Sequence, residues 1–489
     1  MQREYRLQNV AKWPFHHFKI HEKQQHTRVT DLELQDRLAA KPKLAVEPFN
    51  HHTEFLSYKN FSPFCCFLLL YEKKTTKAVI ISSMEEANAT LVDRPRYIER
   101  IMPFVDKDII KVLTGLRRSG KSDMLRLIQR RLIMNGRKSE QFITLNFEDY
   151  TLIEYHDPDR LYPYLIDRIS HINGKPYIFL DEIQEVHDFQ KVVNSLRATT
   201  NADVYITGSN STLLSGELAT YLAGRYVQFE VYPFGYEEFK TARQQHDADD
   251  AFSTFLIDGG MPFIATRTWD AESRRTYLTD IYRSVVLKDI IRRHHIRDVA
   301  LLERIVLFVM QNTGSLLSAN AIASYLKSEC IDVGVQTVIN YLEYCRESFL
   351  LARFNRTDLI GKQLLKTAQK YYASDHGLRN AIVGDSTTQI QGLLENIVAM
   401  EGVRRGYDVT VGSANGKEID FVFDKGNARQ YIQVTYMMND AVTAEREFGA
   451  FRTITDNYPK TVVSMDLILQ PRGGIAHRHI EEFLLAQDW

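Results

Sequence analysis

The chain has 489 residues, 44% apolar and 25% charged, enough for three or four domains with their own cores. Its 61 basic and 62 acidic residues nearly cancel, so a polyanion partner would have to meet a local basic patch rather than a whole-molecule field. Cys65, Cys66, Cys330 and Cys345 show no C-x-x-C spacing, which argues against a zinc knuckle or a disulfide framework and suits a reducing cytoplasm.

Residues 1–83 hold six of the fifteen histidines, His16, His17, His21, His26, His51 and His52, and show no sustained period of 3.6 or 2. No His-E-x-x-H pattern accompanies the histidine pairs, so a metal site is not expected. The longest apolar run, "FSPFCCFLLLY" at Phe61–Tyr71, is far short of the roughly 20 residues that span a bilayer, so no membrane segment is expected. This stretch reads as a poorly ordered extension. Organised sequence begins at Met84, which is the expected translation start; peptides from residues 1–83 in the native protein would refute that.

"DIIKVLT" at Asp108–Thr114 reads as a buried strand, and "SDMLRLIQRRLIMNG" as a helix with Met124, Leu125, Ile128 and Leu132 on one face and Gly136 as its stop. Between them lies "GLRRSGKS", the G-x-x-x-x-G-K-S pattern in its required strand-to-helix context. Gly115 and Gly120 permit the tight turn, backbone N–H groups and the helix amino terminus favour phosphate, Lys121 reaches the β- and γ-phosphates, and Ser122 supplies a hydroxyl to Mg²⁺. The expected nucleotide contacts are Gly115, Ser119, Gly120, Lys121, Ser122 and Asp123, with ATP and Mg²⁺ as the ligands.

"QFITLNFEDY" is a second strand with an acidic end. "YIFLDEIQ" is a third, ending in Asp181, which would join Ser122 in holding Mg²⁺, and Glu182, the candidate general base. "ADVYITGSN" ends in Thr207, Ser209 and Asn210. Ser209 is the first choice for sensing the γ-phosphate and Asn210 the second; the competing role is a cap for the helix "STLLSGEL". In "LAGRYVQFEVYPFGYEEF", Arg225 either touches the γ-phosphate, from its own chain or a neighbour, or makes a structural ion pair. A neighbour's arginine would require an oligomer, and the sequence leaves the oligomeric state open. Together these segments predict an α/β core with a mostly parallel sheet and ligands at the carboxyl ends of its strands.

Gly259 and Gly260 of "LIDGGMPF" make a turn, and a helical stretch runs on through "RRTYLTDIYRSVVLKDIIRRHH". "LLERIVLFVMQNTG", "SANAIASYLKSE" and "GVQTVINYLEYCRES" read as three helices before the strand "FLLARF". That order suggests a winged helix over 298–373. Its recognition helix offers Gln336, Thr337, Asn340 and Glu343, without Arg or Lys. Arg353, Arg356, Lys362, Lys366 and Lys370 on the wing, with Arg292, Arg293 and Arg297, are the candidate contacts to DNA phosphates; the alternative is a domain that only packs against the core.

The stretches "LTGLRRSGKS", "YIFLDEIQ", "VYITGSNSTLL", "LAGRYVQFEVYPFGYEEF", "LIDGGMPF", "YLTDIYRSVVLKDI" and "KYYASDHGLRNAIVG" make the chain, from about residue 90 onward, resemble the prokaryotic AAA-type P-loop ATPases that carry a conserved carboxy-terminal domain of unknown function. The resemblance implies an AAA-type core over 84–240, a helical lid over 241–297, the winged helix, and a restriction-endonuclease-like α/β domain over 374–489. Active members of that last fold place an acid on a helix, an Asp on a strand and E-x-K on the next strand. Here Glu395 and Asp420 take the first two places, but Gln433-Val434-Thr435 stands where E-x-K should be, so a degenerate domain is expected. Three uses are open: a nucleotide switch acting on double-stranded DNA, an ATP-gated nuclease, and a switch acting on a protein partner.

Overall fold

The computed structural model describes residues 91–209, 224–243, 250–361, 363–384, 389–487 and 489. The expected extension 1–83 with its start at Met84, the sensor candidate Asn210, the helix "STLLSGEL" and the side chains of Lys362 and Lys366 lie outside the described residues. Val79–Trp489 form one compact unit.

The core is built on β1 (Ile110–Thr114), β2 (Phe142–Asn146), β3 (Tyr177–Asp181), β4 (Asp203–Gly208) and β5 (Tyr226–Glu230). They make a five-stranded sheet in the order β2-β3-β4-β1-β5, with every pairing parallel. Alternation along each strand feeds two separate cores. Ile110, Val112, Ile178, Leu180, Val204 and Ile206 pack on one face against α3 (Pro158–Ser170) and α4 (Phe189–Thr199). Leu113, Tyr177, Phe179 and Tyr205 pack on the other against α1 (Pro95–Ile101) and α2 (Lys121–Met134). Covering both faces is what a parallel sheet requires and explains why β1, β3 and β4 are buried throughout. Lys111, inside β1, is fully buried because it ion-pairs with Asp203 at the start of β4.

The chain leaves the core through α5 (Tyr236–Arg243), α6 (Ala251–Asp258), α7 (Pro262–Ala265) and α8 (Ala271–Ser284). The helical stretch expected after "LIDGGMPF" is not uniform: α8 runs into a π-helix at Val285–Arg292. Then come α9 (Val299–Gln311), β6 (Leu316–Leu317), α10 (Ala319–Ser328), α11 (Val335–Glu347) and a hairpin of β7 (Leu351–Asp358) and β8 (Gln363–Ala373).

After α12 (His376–Val383) and α13 (Ile390–Arg404), strands β9 (Asp408–Ala414), β10 (Lys417–Lys425) and β11 (Ala428–Val434) form an antiparallel meander. It is extended in parallel by β12 (Lys460–Ser464) and β13 (Ala476–His479). β7 pairs in parallel with β9 through Arg356–Asp358 and Val411–Ser413, so the hairpin and the meander belong to one eight-stranded sheet. α13 packs Leu393, Leu394, Ile397 and Val398 onto Phe421, Phe423, Ile432 and Val434, and Val92, Phe234 and Tyr236 from beside the five-stranded sheet join the same cluster.

Candidate nucleotide site

The loop after β1 carries the P-loop. Gly115 is needed for close approach: a Cβ there would lie 2.1 Å from the carbonyl oxygen of Val231, whose N–H donates to Thr114 O at 2.7 Å. Gly120 has φ 93°, a left-handed conformation that lets α2 start at Lys121. The Lys121 side chain is 4% exposed. Its ammonium donates to Gly115 O and Leu116 O at 3.3 Å each and lies 3.7 Å from Glu182 Oε1. Burial pulls its proton affinity down, while the Glu182 and Asp181 carboxylates oppose that.

Asp181 ends β3, and burial raises its pKa against hydrogen bonds from Thr207 and Ser122. Thr207 Oγ1 donates to Asp181 Oδ1 at 2.5 Å and accepts from the Glu182 N–H at 2.9 Å. Glu182 is held at φ 51°, and Gln184 donates to its carboxylate at 2.5 Å. A strained backbone at a strand's end is common where a side chain must be aimed. Sequence reading favours Ser209 over Thr207; Thr207 is the residue that fixes both acids, and its polar side chain just short of the strand tip is the signal that could have found it.

A cavity of about 600 Å³ runs over this loop, lined by Lys121, Ser122, Asp123 and Glu182 together with Leu91, Val92, Phe234, Pro262, Phe263 and Tyr277. Its charged and hydroxyl groups suit phosphates and its aromatic side chains a purine base. The "GMPF" turn therefore belongs to the site, which its glycines alone did not reveal. Arg94, 2% exposed, also lines this cavity and braces the loop, donating to Ser119 O at 3.3 Å and Tyr232 O at 2.8 Å while ion-paired with Glu238 at 2.8 Å.

Beyond Glu182 a second cavity of about 620 Å³ is lined by Arg117, Gln184, Ser209, Asp289, Arg292 and Arg293, among others. Ser209, 4% exposed, lines this second cavity and not the one over the P-loop. Arg225 lines neither. Its carbonyl accepts from Ile110 N–H at 2.9 Å, at the amino end of β1, and its guanidinium donates to Asn194 Oδ1 at 3.2 Å. Because β5 runs parallel to β1, Arg225 sits a full strand away from the P-loop and is not part of this chain's own nucleotide site.

The donor set fits a hard divalent cation: Ser122 hydroxyl and Asp181 carboxylate are hydrogen-bonded to each other, both oxygen donors, at the mouth of an anion-binding loop. Ser119 Oγ is buried without a hydrogen-bond partner among the described residues, as fits a loop shaped around a ligand.

A protein-family model described as an AAA domain matches residues 107–240, and one described as a domain of unknown function matches residues 249–389. An uncharacterized protein of Haemophilus influenzae is 36% identical over 400 residues, spanning 81% of this chain and 99% of the relative. The chain belongs to the same family as that protein. An uncharacterized protein of Methanocaldococcus jannaschii is 29% identical over 420 residues, spanning 82% and 90% of the two chains. Among solved structures, a Walker-type ATPase of Pyrococcus abyssi aligns with TM-score 0.43 at 14% identity, covering 60% of this chain and 96% of that one. The Orc1 protein of Aeropyrum pernix in complex with DNA aligns with TM-score 0.30 at 15% identity, covering 60% and 93%. The AAA domain of this chain is an ATP-binding P-loop domain. Among the described residues no helix is long and apolar enough to cross a membrane.

The last domain corrects one reading of the sequence. Lys370 does not face solvent on a wing: it is 1% exposed, and its ammonium lies 3.0 Å from Glu395, 2.7 Å from Glu418 and 3.4 Å from Asp420. The register shift in β10 between Ile419 and Val422 places Asp420 toward this lysine. Arg353 is also taken up, ion-paired with Glu343 at 3.3 Å.

Proposed function

We propose that the protein is a Mg²⁺-dependent ATPase that works as a nucleotide switch acting on a protein partner. The observation that carries the reading is the buried Lys121 ammonium shared between P-loop carbonyls and Glu182 in the cavity over the loop. Without nucleotide, Lys121 neutralises Glu182. Phosphates draw the ammonium away and leave that carboxylate free to orient and deprotonate water, while Thr207 anchors the Glu182 backbone N–H and Gln184 donates to the carboxylate. Ser122 and Asp181 would hold Mg²⁺, which supplies charge neutralisation at the β- and γ-phosphate oxygens. Ser209, lining the second cavity, is the candidate sensor of the γ-phosphate.

A protein partner is favoured over DNA by where the basic residues lie. Lys370 and Arg353 are ion-paired with carboxylates, and the exposed Arg292 and Arg293 border the cavity that Ser209 and Asp289 line. The exposed face of α11 carries Val335 and Ile339 beside Gln336 and Asn340, a surface suited to protein contact rather than phosphate. The nuclease reading has less support, because the Lys370 ammonium is surrounded by three carboxylates and shielded from solvent. The deciding experiment is ATP turnover of the purified protein across a titration of duplex DNA, with Glu182→Gln as the blank. Hydrolysis that ignores DNA supports the reading; stimulation by DNA overturns the choice of partner.

A further inference from the structure

The π-helix joins two places the proposed function leaves unconnected. One end reaches the phosphate site. Asp289, 8% exposed, points its Oδ2 at Arg117 Nε from 3.6 Å, too far for a hydrogen bond, and neither atom has a hydrogen-bond partner among the described residues. Arg117 is a P-loop residue that lines both cavities, the nucleotide one with Lys121 and the one beyond Glu182 with Asp289. It also lies 3.5 Å from the exposed acid Glu148. Lys121 is within the electrostatic reach of both Arg117 and Asp289.

The other end reaches α11. Arg293 sits between the charges of Asp289 and Glu347, the last residue of α11. His294 stacks on Tyr344 of α11 at 3.7 Å between ring centroids and lies 3.4 Å from Glu347. A carboxylate at the phosphate site is therefore only a short helical stretch from a ring packed on the helix with the exposed apolar face. The intervening turn is π-helical, a rare geometry found mostly at functional sites. Tightening an i→i+5 turn to i→i+4 rotates the residues beyond it, here Arg292, Arg293 and His294.

We propose that Asp289 is a nucleotide-sensing residue: it holds Arg117 when no γ-phosphate is present, yields Arg117 to the γ-phosphate of ATP, and passes that exchange through the π-helix to α11. The proposal rests on the reading of the P-loop as an ATP site. Its logic is competition. A γ-phosphate offers Arg117 a stronger, bidentate partner than a carboxylate 3.6 Å away, and ADP offers none. Asp289 is a positioning residue here, since it acts through Arg117.

The test compares binding of ADP and a non-hydrolysable ATP analogue to the full chain. Asp289→Asn removes the buried competitor, leaving only the exposed Glu148, and is expected to tighten the ATP analogue about fivefold or more while leaving ADP unchanged. Arg117→Gln, on a partly exposed side chain, is expected to weaken the analogue and not ADP, and it carries the test if the Asn variant does not fold. Hydrogen exchange of residues 335–347 is expected to differ between analogue and ADP in the wild type and to become the same in Asp289→Asn. An unchanged ratio of the two affinities in both variants, or an α11 difference that persists in Asp289→Asn, overturns the proposal. Wild-type protein that binds neither nucleotide overturns the ATP reading itself.

Discussion

At Lys121, burial works against the ammonium and only charge nearby keeps it, so the residue is poised to exchange Glu182 for phosphate. Lys121→Ala is expected to abolish nucleotide binding, measured by titration calorimetry with ATP. Glu182→Gln keeps the loop and Lys121 but loses the base; it should bind ATP and hydrolyse it about 10²–10⁴-fold more slowly. Turnover close to wild type in that variant would refute the base assignment. Gly115→Ala places a methyl group 2.1 Å from the backbone oxygen of Val231, which cannot swing aside, and is expected to lower both thermal stability and ATP affinity. Lys121, Ser122, Asp181 and Glu182 were legible because a motif names residue types that phosphate chemistry demands. Thr207, Arg94, Arg117 and Asp289 were not, because their roles depend on contacts with residues distant in sequence.

Among the elements, β8 and α12 do more than their sequences suggest. Lys370 reads as one more basic residue on a hairpin, yet β8 lies where Glu395, Glu418 and Asp420 converge. Lys370→Met leaves these carboxylates without their cation and is expected to cost about 3–5 kcal/mol in denaturant unfolding. At the junction of β8 and α12, Asp375 accepts from Gly260 N–H at 2.7 Å and His376 Nε2 contacts Phe255 O at 2.6 Å, so "ASDHGLRN" docks the carboxy-terminal half onto the "GGMPF" turn. Burial raises the Asp375 carboxyl to about 6 and lowers the His376 imidazole to about 4. Their pH effects oppose each other. Asp375 contributes stability at low pH that is lost as pH rises from about 4 through about 6. His376 contributes stability above about 6.5 that is lost as pH falls through about 4. Asp375→Asn is therefore expected to lose stability more steeply than wild type between about pH 6.5 and 4, as read by urea midpoints across that range. A slope no steeper than wild type would count against this assignment.

For the whole molecule, the shared sheet and shared core bear on how a nucleotide signal spreads. β7 and β9 join the three-helix segment and the last domain into one sheet, and Val92, Phe234 and α13 share one apolar cluster. A rearrangement at the nucleotide site thus meets a continuous packed body, and the π-helix is an element in it with irregular hydrogen bonding. The near balance of 61 basic and 62 acidic residues agrees with a partner recognised by shape and apolar contact. Retention on immobilised duplex DNA is expected to be negligible at moderate salt and insensitive to ATP; retention that falls steeply with salt would restore the DNA reading.

Local chemistry along the chain was enough to specify the parallel α/β core, the P-loop and the acids that end β3. Those depend on short-range spacing, on alternation along strands and on backbone turns that few residues tolerate. It took the folded chain to put Arg225 at the far end of the sheet, to turn Lys370 inward and to set Asp289 against Arg117. Each of these depends on strand direction or on packing between segments far apart in the chain, where a charged residue carries no local mark of whether it will meet water, a carboxylate or a phosphate.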